Sequence, residues 1–415
     1  MKGWTLSTVD SIRSEERYSL VGGPFGSELT TRDYVEDGVP VIRGSNLPHD
    51  RAFLDDGFVF VCDDKADKLI ANTGYPGDVL FTQRGTLGQV GLIPNVSRYP
   101  RYIISQSQMK LTVNPQKADA RFVYYFFRSS QTVLSIKSRA ITSGVPHINL
   151  GILRDFEMPL PPVYVQRAIV GRLVDYDDLI ENNSRRMVLL EEAARLLYHE
   201  WFVRLRFPGH EHTCIKNGMP EGWERKTLAN ICDSIDYGYT ASASDHNVGP
   251  RLLRITDIVP DNIDWSTVPY CEIEDARLEK FGLREGDIVI ARTGATVGYA
   301  KRLHKRHPDA VFASYLVRLR TRPGVSNLMV GVFVESNDYK SYVLSRVGGA
   351  AQPNANAKVL AGAEILVPPQ RVQTAFDESV GPLVDQREVL ACLNQKLRAA
   401  RDNLLPRLMS GQVTV

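Results

Sequence analysis

The sequence predicts an α+β protein in which a mixed domain occurs twice and each copy is followed by a long helix. Trp4 matches Trp223 and Pro161 matches Pro368, so the interval between the copies narrows only from 219 to 207 residues. Apolar residues recur at heptad spacing after each Pro-Pro pair, and short strand-like segments come before each pair. A repeat this long indicates duplication of a whole domain rather than a solenoid of short units.

Length, composition and charge limit the classes of protein to which the chain can belong. Its 415 residues suffice for two or three domains, and 43% hydrophobic with 24% charged residues is typical of globular proteins. A formal net charge of +2 argues against coating nucleic acid through bulk charge, but leaves room for local basic faces. Five cysteines without a Cys-x-x-Cys pair indicate reduced thiols. With neither a signal-peptide core nor an apolar run long enough for a membrane span, we expect a cytoplasmic protein.

The repeat divides the chain into four segments. We expect a first domain over 1–162, a first spacer helix over 163–207, a second domain over 208–369, and a second spacer helix with the C-terminal tail over 370–415. Clusters of apolar residues, two of them after Gly-Asp turns, predict short strands. They lie at 40–43, 78–83 and 108–113 in the first copy and at 251–254, 287–292 and 315–319 in the second. Short helices are predicted at 121–129 and 326–337.

The first long helix carries a one-sided stripe that steps alternately by four and three residues, the heptad pattern of a coiled coil. A helix of about 38–42 residues with such a stripe needs a partner, and the second helix is the nearest. Asn183 is the one polar member, and it would cost stability while fixing the register. The stripe consists of Ile169, Leu173, Tyr176, Ile180, Asn183, Met187, Leu190, Ala194, Leu197 and Trp201.

The second long helix has a less regular stripe, in which leucines recur every seven residues and polar residues hold the positions between them. The leucines are Leu383, Leu390, Leu397 and Leu404. We expect Leu393 to take the place of Asn394 in the seam. In the same way, we expect Ala400 to take the place of Arg401. Arg387 and Arg401 are expected to reach water from the edge of the seam.

Prolines also shape the expectation for the second helix. A proline inside a helix costs about 3 kcal/mol or more, because it removes a hydrogen bond and clashes with the preceding turn. Gly381-Pro382 therefore predicts a kink, or a helix that begins only at Pro382. Pro406 predicts a bend or an end near the C-terminus.

The motifs of common catalytic sites are missing from the sequence. It contains no Gly-x-x-x-x-Gly-Lys-Ser/Thr loop, no His-Glu-x-x-His site, no Gly-x-Ser-x-Gly elbow and no Asn- or Asp-Pro-Pro-Tyr/Phe motif of an amino-methyltransferase. Asp309 and the segment 338–340 form a nuclease-like pattern, which is short enough to arise by chance. The segment 210–214, His-Glu-His-Thr-Cys, offers three zinc ligands, but zinc normally takes four and a polar linker is the alternative.

Two regions predict a DNA-binding surface. One is a basic segment, opposed in sequence only by Asp309, whose cations can neutralise phosphates; a solvated charged face is the alternative. It comprises Lys301, Arg302, Lys305, Arg306, Arg318, Arg320 and Arg322. The other is the turn after each Gly-Asp strand, where Arg can read guanine, Gln can read adenine, and glycine permits close approach to a ligand; an ordinary hairpin turn is the alternative. The candidate DNA-contacting residues are Arg43, Gln83, Arg84, Thr86, Arg101, Arg254, Arg292, Thr293, Thr296, Lys301, Arg302 and Lys305.

Taken together, these features resemble the specificity subunit of type I restriction–modification enzymes over nearly the whole chain. Each feature is weak alone, but they occur in this order and mostly twice. The less regular second helix departs from the family pattern. The features are Pro220-Glu221-Gly222-Trp223-Glu224 at the start of the second half, the two Gly-Asp-Val/Ile segments with their following Arg and Gly, the two Pro-Pro helix entries, and Leu-Leu-Pro-Arg-Leu-Met-Ser-Gly over 404–411.

The resemblance implies two target-recognition domains, each reading half of a split DNA sequence, separated by two long helices in an antiparallel coiled coil. It implies a non-catalytic subunit that binds double-stranded DNA and recruits two methyltransferase subunits, which use S-adenosylmethionine to methylate adenine. Where restriction occurs, two restriction subunits would add activities that use ATP and Mg²⁺. No cofactor and no metal site are expected in this chain.

Other interpretations stay open at this point. The chain could be an enzyme that modifies or cuts DNA itself, or a coiled-coil assembly protein with no nucleic-acid role. The segments 143–149 and 350–356 share a proline and an asparagine. Because both copies keep these residues while their DNA targets should differ, we expect them to have a structural role rather than a base-reading one.

Overall fold

The structure is a computed structural model that describes residues 3–49, 51–142, 144–260, 262–348 and 353–413. The chain forms two compact units: unit 1 comprises 1–182 and 396–415, and unit 2 comprises 183–395. Each unit combines strands with helices, so the predicted α+β class is confirmed. Within the described ranges, no helix has both the length and the apolar character needed to cross a bilayer.

Unit 1 consists of short strands and short helices, followed by the first part of a long helix. Its strands are β1 Thr5–Thr8, β2 Leu20–Gly22, β3 Tyr34–Val35, β4 Val39–Ile42, β5 Val59–Val61, β6 Thr73–Gly74, β7 Val79–Thr82, β8 Val90–Leu92, β9 Tyr102–Ile104, β10 Gln108–Leu111 and β11 Glu157–Leu160. Its helices are α1 Val9–Ile12, α2 Asp63–Lys68, α3 Ala120–Arg128, α4 Ser130–Ser138, α5 Leu150–Arg154 and the start of α6, Val163–Tyr198.

The main core of unit 1 forms where α3 packs against a four-stranded antiparallel sheet with the order β2-β10-β7-β8. The carboxylate of Asp119 caps α3 by accepting a hydrogen bond of 2.9 Å from the backbone N–H of Arg121. The run 122–127 of α3, aromatic except for Val123, is buried, and the ring of Phe127 meets that of Phe81 edge-on at 4.9 Å. A five-stranded sheet, β3-β5-β4-β9-β6, and the pair β1-β11 complete the unit.

Unit 2 contains the second copy of the domain. Its strands are β12 Ile215–Lys216, β13 Met219–Pro220, β14 Glu224–Thr227, β15 Cys232–Tyr237, β16 Arg251–Leu253, β17 Ile288–Ala291, β18 Ala300–Arg302, β19 Ala310–Phe312, β20 Leu316–Thr321 and β21 Glu364–Val367. Its helices are α7 Leu228–Ile231, α8 Ile255–Ile258, α9 Asp275–Phe281, α10 Asn327–Val334, α11 Asn337–Arg346, α12 Ala357–Leu360 and part of α13, Gln370–Met409.

The central sheet of unit 2 has the same strand order as that of unit 1. The order β15-β20-β17-β18 corresponds to β2-β10-β7-β8, and β14-β21 corresponds to β1-β11. The parallel pair β16-β19 matches the parallel pair β4-β9. All six predicted strands and both predicted short helices are confirmed within a few residues of their expected ends. The sequence repeat therefore corresponds to a repeat of strand topology.

The repeated Gly-Asp segment is a structural motif before the central strand of each sheet. Gly77 has φ +89°, a conformation that favours glycine, and it turns the chain into β7. The buried Asp78 carboxylate then accepts a hydrogen bond of 2.9 Å from the Lys110 ammonium on β10. In unit 2 the buried Asp287 binds the Arg320 guanidinium through two contacts of 2.8 Å. Each aspartate thus ties the start of one strand to its neighbour through a buried ion pair.

A buried glutamine fixes each Pro-Pro helix entry. The Oε1 atom of Gln166 accepts a hydrogen bond of 2.8 Å from the N–H of Asp119, and its Nε2 donates to the Pro161 carbonyl at 2.7 Å. Gln373 repeats this arrangement, accepting from the N–H of Ser326 at 2.7 Å and donating to the preceding Pro368 carbonyl at 2.9 Å. One amide therefore connects the long helix to the helix cap of its own domain in both units.

The predicted stripe of α6 faces a segment of α13 in each unit. Every stripe residue from Ile169 to Trp201 is buried or half-buried. In unit 1, Leu173 belongs to the same core as Leu408. In unit 2, Trp201 lies in the π-helical turn His199–Val203 that directly follows α6, and its ring lies 5.6 Å from that of Phe376. Within each unit, the residue numbers along α6 increase while those of their partners on α13 decrease. The two segments therefore pair antiparallel, as in a coiled-coil seam.

The structure corrects two expectations for α13. The helix begins at Gln370 and continues through Pro382 and Pro406 to Met409, so a start at Pro382 was wrong. The seam residue is Asn394, which is 3% exposed, whereas Leu393 is 42% exposed. The stripe of α13 therefore follows the register of the polar residues. Its leucines at 383, 397 and 404 are half-buried, and the one at 390 is buried.

Ion pairs and amides explain why polar residues occupy this seam. Arg401, 2% exposed and not at the seam edge, pairs with Asp177 in unit 1, while Ala400 faces water. In unit 2, the Nδ2 of Asn183 donates to the Oδ1 of Asn394 at 2.9 Å. The Nε atom of the largely buried Arg387 lies 3.3 Å from a carboxylate oxygen of Glu191. Buried polar groups are tolerated where such partners are present.

Candidate nucleic-acid interface

In unit 1, three strands and one loop meet at one end of the central sheet. The register pairs Gln108, the first residue of β10, with Thr82 at the end of β7, and Met109 with Gly22 at the end of β2. The next residue of the chain, Gln83, donates its backbone N–H to the Ser107 carbonyl at 2.7 Å. We call this the sheet end of unit 1. It presents the turn over 83–86 that the sequence singled out.

Unit 2 has an equivalent sheet end. Its register pairs Leu316, the first residue of β20, with Ala291 at the end of β17, and Val317 with Tyr237 at the end of β15. Arg292 then donates its backbone N–H to the Tyr315 carbonyl at 3.0 Å. The turn over 292–296 therefore occupies the same place in unit 2 that the turn over 83–86 occupies in unit 1.

A segment before a short helix supports each turn. In unit 1, Ile148 donates to the Gln83 carbonyl at 3.0 Å, and in unit 2 Ala355 donates to the Arg292 carbonyl at 2.8 Å. The side chain of Asn149 caps α5, and that of Asn356 caps α12, each through a hydrogen bond of 2.9 Å. These caps agree with the expected structural role. Of the predicted segments, residues 143 and 350–352 lie outside the described residues.

Glycines give both turns their conformation. Gly85 has φ +99° and Gly294 has φ +78°, values that favour glycine over other residues. A Cβ atom built on either glycine meets nothing within 4 Å. Glycine is therefore favoured at these two positions for its backbone angle and not for its small size. The space outside each turn is open to a ligand.

The side chains at the two sheet ends differ. In unit 1, Arg84 and Thr86 are exposed, and the half-buried amide of Gln83 has no hydrogen-bonding partner among the described residues. In unit 2, the Cζ atom of Arg292 lies 4.8 Å from the centre of the Tyr237 ring, a cation–π contact. The Nε atom of Arg292 is buried without a partner in the described part of the chain.

Thr293 and Thr296 complete the predicted turn in unit 2, and both are half-buried. Thr293 forms an isolated bridge with Asn354, whose Oδ1 lies 3.5 Å from an Nη atom of Arg292. Tyr315 beside the turn is 61% exposed. Neither tyrosine at this end, at 237 or 315, is among the candidates named from the sequence, which are charged, amide and threonine residues. Aromatic residues next to the ends of predicted strands were the signal that could have identified them.

Other groups of the chain already engage the guanidinium groups of Arg43 and Arg254. Arg43 follows β4 and donates to the Gly57 carbonyl at 3.1 Å. Arg254 follows β16 and binds the Asp257 carboxylate through Nε and Nη2 at 3.0 and 2.9 Å. The hydrogen bonds from Asp257 raise the pKa of Arg254. Both arginines also start a turn through their backbone N–H, which weakens the case for base contacts.

Four other candidates do not gather at the sheet ends. Arg101 precedes β9 and pairs with two carboxylates of α2 at 2.6 and 2.8 Å. Lys301 and Arg302 lie on β18, where Arg302 is paired with Ile288 at the opposite end of β17. Lys305 continues that chain, and its ammonium lies 3.6 Å from Asp385. The structure therefore separates them from the turns.

The basic segment of unit 2 is also neutralised more fully than its sequence indicates. Arg318 is buried and pairs with Asp236 at 2.7 Å, and Arg320 pairs with Asp287 at 2.8 Å. Burial alone would raise the pKa of Asp236, but the hydrogen bond and charge of Arg318 outweigh it and lower that pKa. Asp236 and Asp287 thus oppose the basic segment in addition to Asp309. The sequence did not reveal these partners, because they lie outside the basic segment.

The structure also places the nuclease-like segment 338–340 and the His-Glu-His segment 210–212. Tyr339, between Asp338 and Lys340, is buried, and its hydroxyl donates to the Leu360 carbonyl at 2.8 Å. His210 lies in a single 3₁₀ turn, and its Nδ1 contacts the Phe207 carbonyl at 2.9 Å. Across the described ranges, no group of three or more His, Cys, Asp or Glu side chains is placed to hold a metal ion.

Comparison with known proteins finds similar specificity subunits. The profile of the type I restriction modification DNA specificity domain matches residues 65–192. The MjaVIII specificity subunit of Methanocaldococcus jannaschii is 23% identical over 324 residues, 75% of each chain. The EcoKI specificity subunit of Escherichia coli is 20% identical over 430 residues, covering all of this chain and 90% of the other.

A solved structure has a similar fold. The S subunit of a type I restriction–modification system from M. genitalium superposes with a TM-score of 0.56 at 16% identity. The match covers 98% of this chain and 96% of that one. The chain is therefore similar to type I restriction–modification specificity subunits, by domain profile over 65–192, by relatives over most of its length, and by fold.

Proposed function

We propose that this chain is the non-catalytic DNA-recognition subunit of a type I restriction–modification complex, and that each sheet end reads half of a split DNA target. One observation carries the proposal: a single chain builds the same sheet end twice and places different polar side chains on it. A repeated backbone arrangement that carries different side chains suits a subunit that recognises two different half-sites. Direct reading of bases requires such donors and acceptors in a groove.

The proposed DNA contacts come from the two turns. In unit 1 they are the side chains of Gln83, Arg84 and Thr86, and in unit 2 those of Arg292 with the threonines at 293 and 296. Arginine, glutamine and threonine can all bind base edges in the major groove. We expect cations elsewhere on each unit to contact phosphates, which contribute affinity but no sequence information.

Partner subunits would supply the chemistry. We propose that the paired helices α6 and α13 space the two half-sites and dock two methyltransferase subunits that use S-adenosylmethionine. Where restriction occurs, two restriction subunits would use ATP and Mg²⁺. The antiparallel seam suits a spacer, because its ion pairs and amides favour one register over slipped alternatives.

The test is to co-express the chain with a candidate methyltransferase subunit from the same genome and to map methylated adenines by single-molecule sequencing. We expect one split motif. Replacing the domain over 208–369, together with the helix entry through Gln373, by the matching segment of a relative should change one half of the motif and leave the other unchanged. The matched control replaces the domain over 1–162 together with the helix entry through Gln166 and should change the other half.

Two results would contradict the proposal. A stable complex that binds no DNA even at low salt would favour a coiled-coil assembly protein, since phosphate contacts are strongest there. Methylation or cleavage by the purified chain alone, abolished by Asp338→Asn, would favour an enzyme. Salt dependence of binding should be measured alongside, because the number of phosphate contacts sets its slope.

A further inference from the structure

Gln83 and Arg292 occupy one backbone position in the two units. Each is the first residue after the central strand, β7 or β17. Each donates its N–H to the residue before the neighbouring strand, at 2.7 Å to Ser107 and at 3.0 Å to Tyr315. Each also accepts at its carbonyl from the segment before the short helix. The backbone is therefore matched, and only the side chain differs.

The neighbours of these two side chains are also matched in position. Gly22 ends β2 opposite Met109, and Tyr237 ends β15 opposite Val317. A Cβ atom on Gly22 would stand 3.3 Å from the Oε1 atom of Gln83, so glycine leaves room for the amide. In unit 2 the same place holds a ring against which the Arg292 guanidinium lies. The small residue accompanies the amide, and the aromatic ring accompanies the guanidinium.

Resting on the proposed function, we infer that this matched position reads one base in each half-site: an adenine by Gln83 and a guanine by Arg292. A glutamine amide has one donor and one acceptor, which match N7 and N6 of adenine. A guanidinium has two parallel donors, which match O6 and N7 of guanine. The Tyr237 ring holds the guanidinium plane and is a positioning residue.

The internal hydrogen bonds favour this role over that of an ordinary turn. The turns are held by backbone bonds that any side chain at this position would permit. The amide of Gln83 has no hydrogen-bonding partner among the described residues, so the turn does not need it. The two copies keep their structural residues, such as Asp78 and Asp287, yet differ here. A side chain free of structural duty that changes between the copies is suited to distinguishing the half-sites.

The experiment maps methylation by the complete complex containing Gln83→Ala or Arg292→Ala. Each change should relax one position of the split motif, an A·T pair in one half and a G·C pair in the other. Discrimination at that position should fall by about 5- to 150-fold, the range for one bidentate base contact. The matched controls are Gln116→Ala and Arg284→Ala, exposed residues beyond the opposite ends of β10 and β17, which should leave the motif unchanged.

Two further variants separate reading from folding. Arg292→Lys keeps the positive charge but loses the bidentate fork, so it should relax the same guanine position while the complex still assembles. The double change Gly22→Tyr with Gln83→Arg copies unit 2 into unit 1 and should shift one position of that half-site toward guanine. Both outcomes would support the inference.

The failure of the inference is distinguishable from that of the proposed function. If the wild-type complex gives no split motif, the proposed function fails. If the wild type gives a split motif and both alanine variants keep it at full discrimination, the inference fails. Loss of methylation at every site in Arg292→Ala and Arg292→Lys alike, with thermal melting unchanged, would also overturn it, since one base contact should not control binding to all sequences.

Discussion

Arg401 tests how the helix seam is held together. Its side chain is only 3% exposed, and its guanidinium pairs with the carboxylates of Asp177 and Asp402. Asp177 also accepts a hydrogen bond of 2.6 Å from the Tyr125 hydroxyl. Burial would lower the pKa of Arg401, but the hydrogen bonds and charges of the two aspartates outweigh it and raise that pKa. The side chain is therefore charged inside the seam, and its charge has partners.

The change Arg401→Met keeps a long apolar stem and removes the charge. Removing one partner of a fully buried pair costs about 3–5 kcal/mol, because the other charge is left uncompensated. The side chain of Asp177 is 27% exposed, so water compensates part of this. We expect a loss of about 2–3 kcal/mol. Adding Asp177→Asn removes the second charge and keeps an acceptor for Tyr125, so the double variant should recover most of the loss.

Native-state hydrogen exchange of the segment 396–409 measures the loss of stability locally. A local measurement is needed because a chain of two units need not unfold in one step. A loss of about 2–3 kcal/mol should accelerate exchange about 30- to 150-fold. Lys396→Met, at an exposed position on the same helix, is the control and should change little. Wild-type exchange rates in Arg401→Met would refute the reasoning. A double variant no better than the single one would show that the lost charge balance is not the cause.

Three further predictions concern other parts of the chain. Burial raises the pKa of the Cys232 thiol to about 12, so this thiol should resist alkylation at pH 8 in the native protein while the exposed Cys62 reacts, which mass spectrometry of labelled peptides can check. The hydrogen bond from His304 lowers the pKa of the Asp385 carboxyl. The stabilisation from this contact is therefore fully present above pH 3.8, the ordinary pKa, and should be lost as the pH falls through the lowered pKa. Asp385→Asn should remove this pH dependence, which local hydrogen exchange can measure. Asn394→Leu should cost about 1–3 kcal/mol by the same exchange measurement, because it leaves the amide of its partner across the seam unpaired.

The repeat and the first spacer helix could be predicted because they depend on local pattern. Strand positions followed Gly-Asp turns and apolar clusters, and the α6 stripe followed a heptad step from Ile169 to Trp201. Periodicity failed for α13, where it favoured Leu393 over Asn394. The energy of a buried Asn or Arg depends on what faces it, and a single helix does not reveal its partner residues. The polar register is favourable because Asn394 pairs with Asn183, and Arg401 with Asp177, across the seam.

The candidate site was predictable in part for a similar reason. The turns after β7 and β17 were found because glycine and polar residues mark them in sequence. The basic segment was overestimated, because Arg318 is neutralised by Asp236, which precedes it by 82 residues. Pairings of this kind depend on strand register, which local sequence does not specify. The same register brings Tyr237 against Arg292, a contact that composition could not indicate.

The glutamine at each helix entry has a consequence for exchanging recognition domains between relatives. Gln166 bonds both to the cap of α3 and to the proline carbonyl that opens α6, so the junction belongs to domain and helix at once. A graft that joins a foreign domain to α6 just before Pro161 must therefore offer a backbone N–H where Asp119 has one. A graft that carries the glutamine with its own domain keeps the junction intact. The border that keeps this junction in a graft therefore lies inside the first turns of the helix, after Gln166 and, in the second copy, after Gln373.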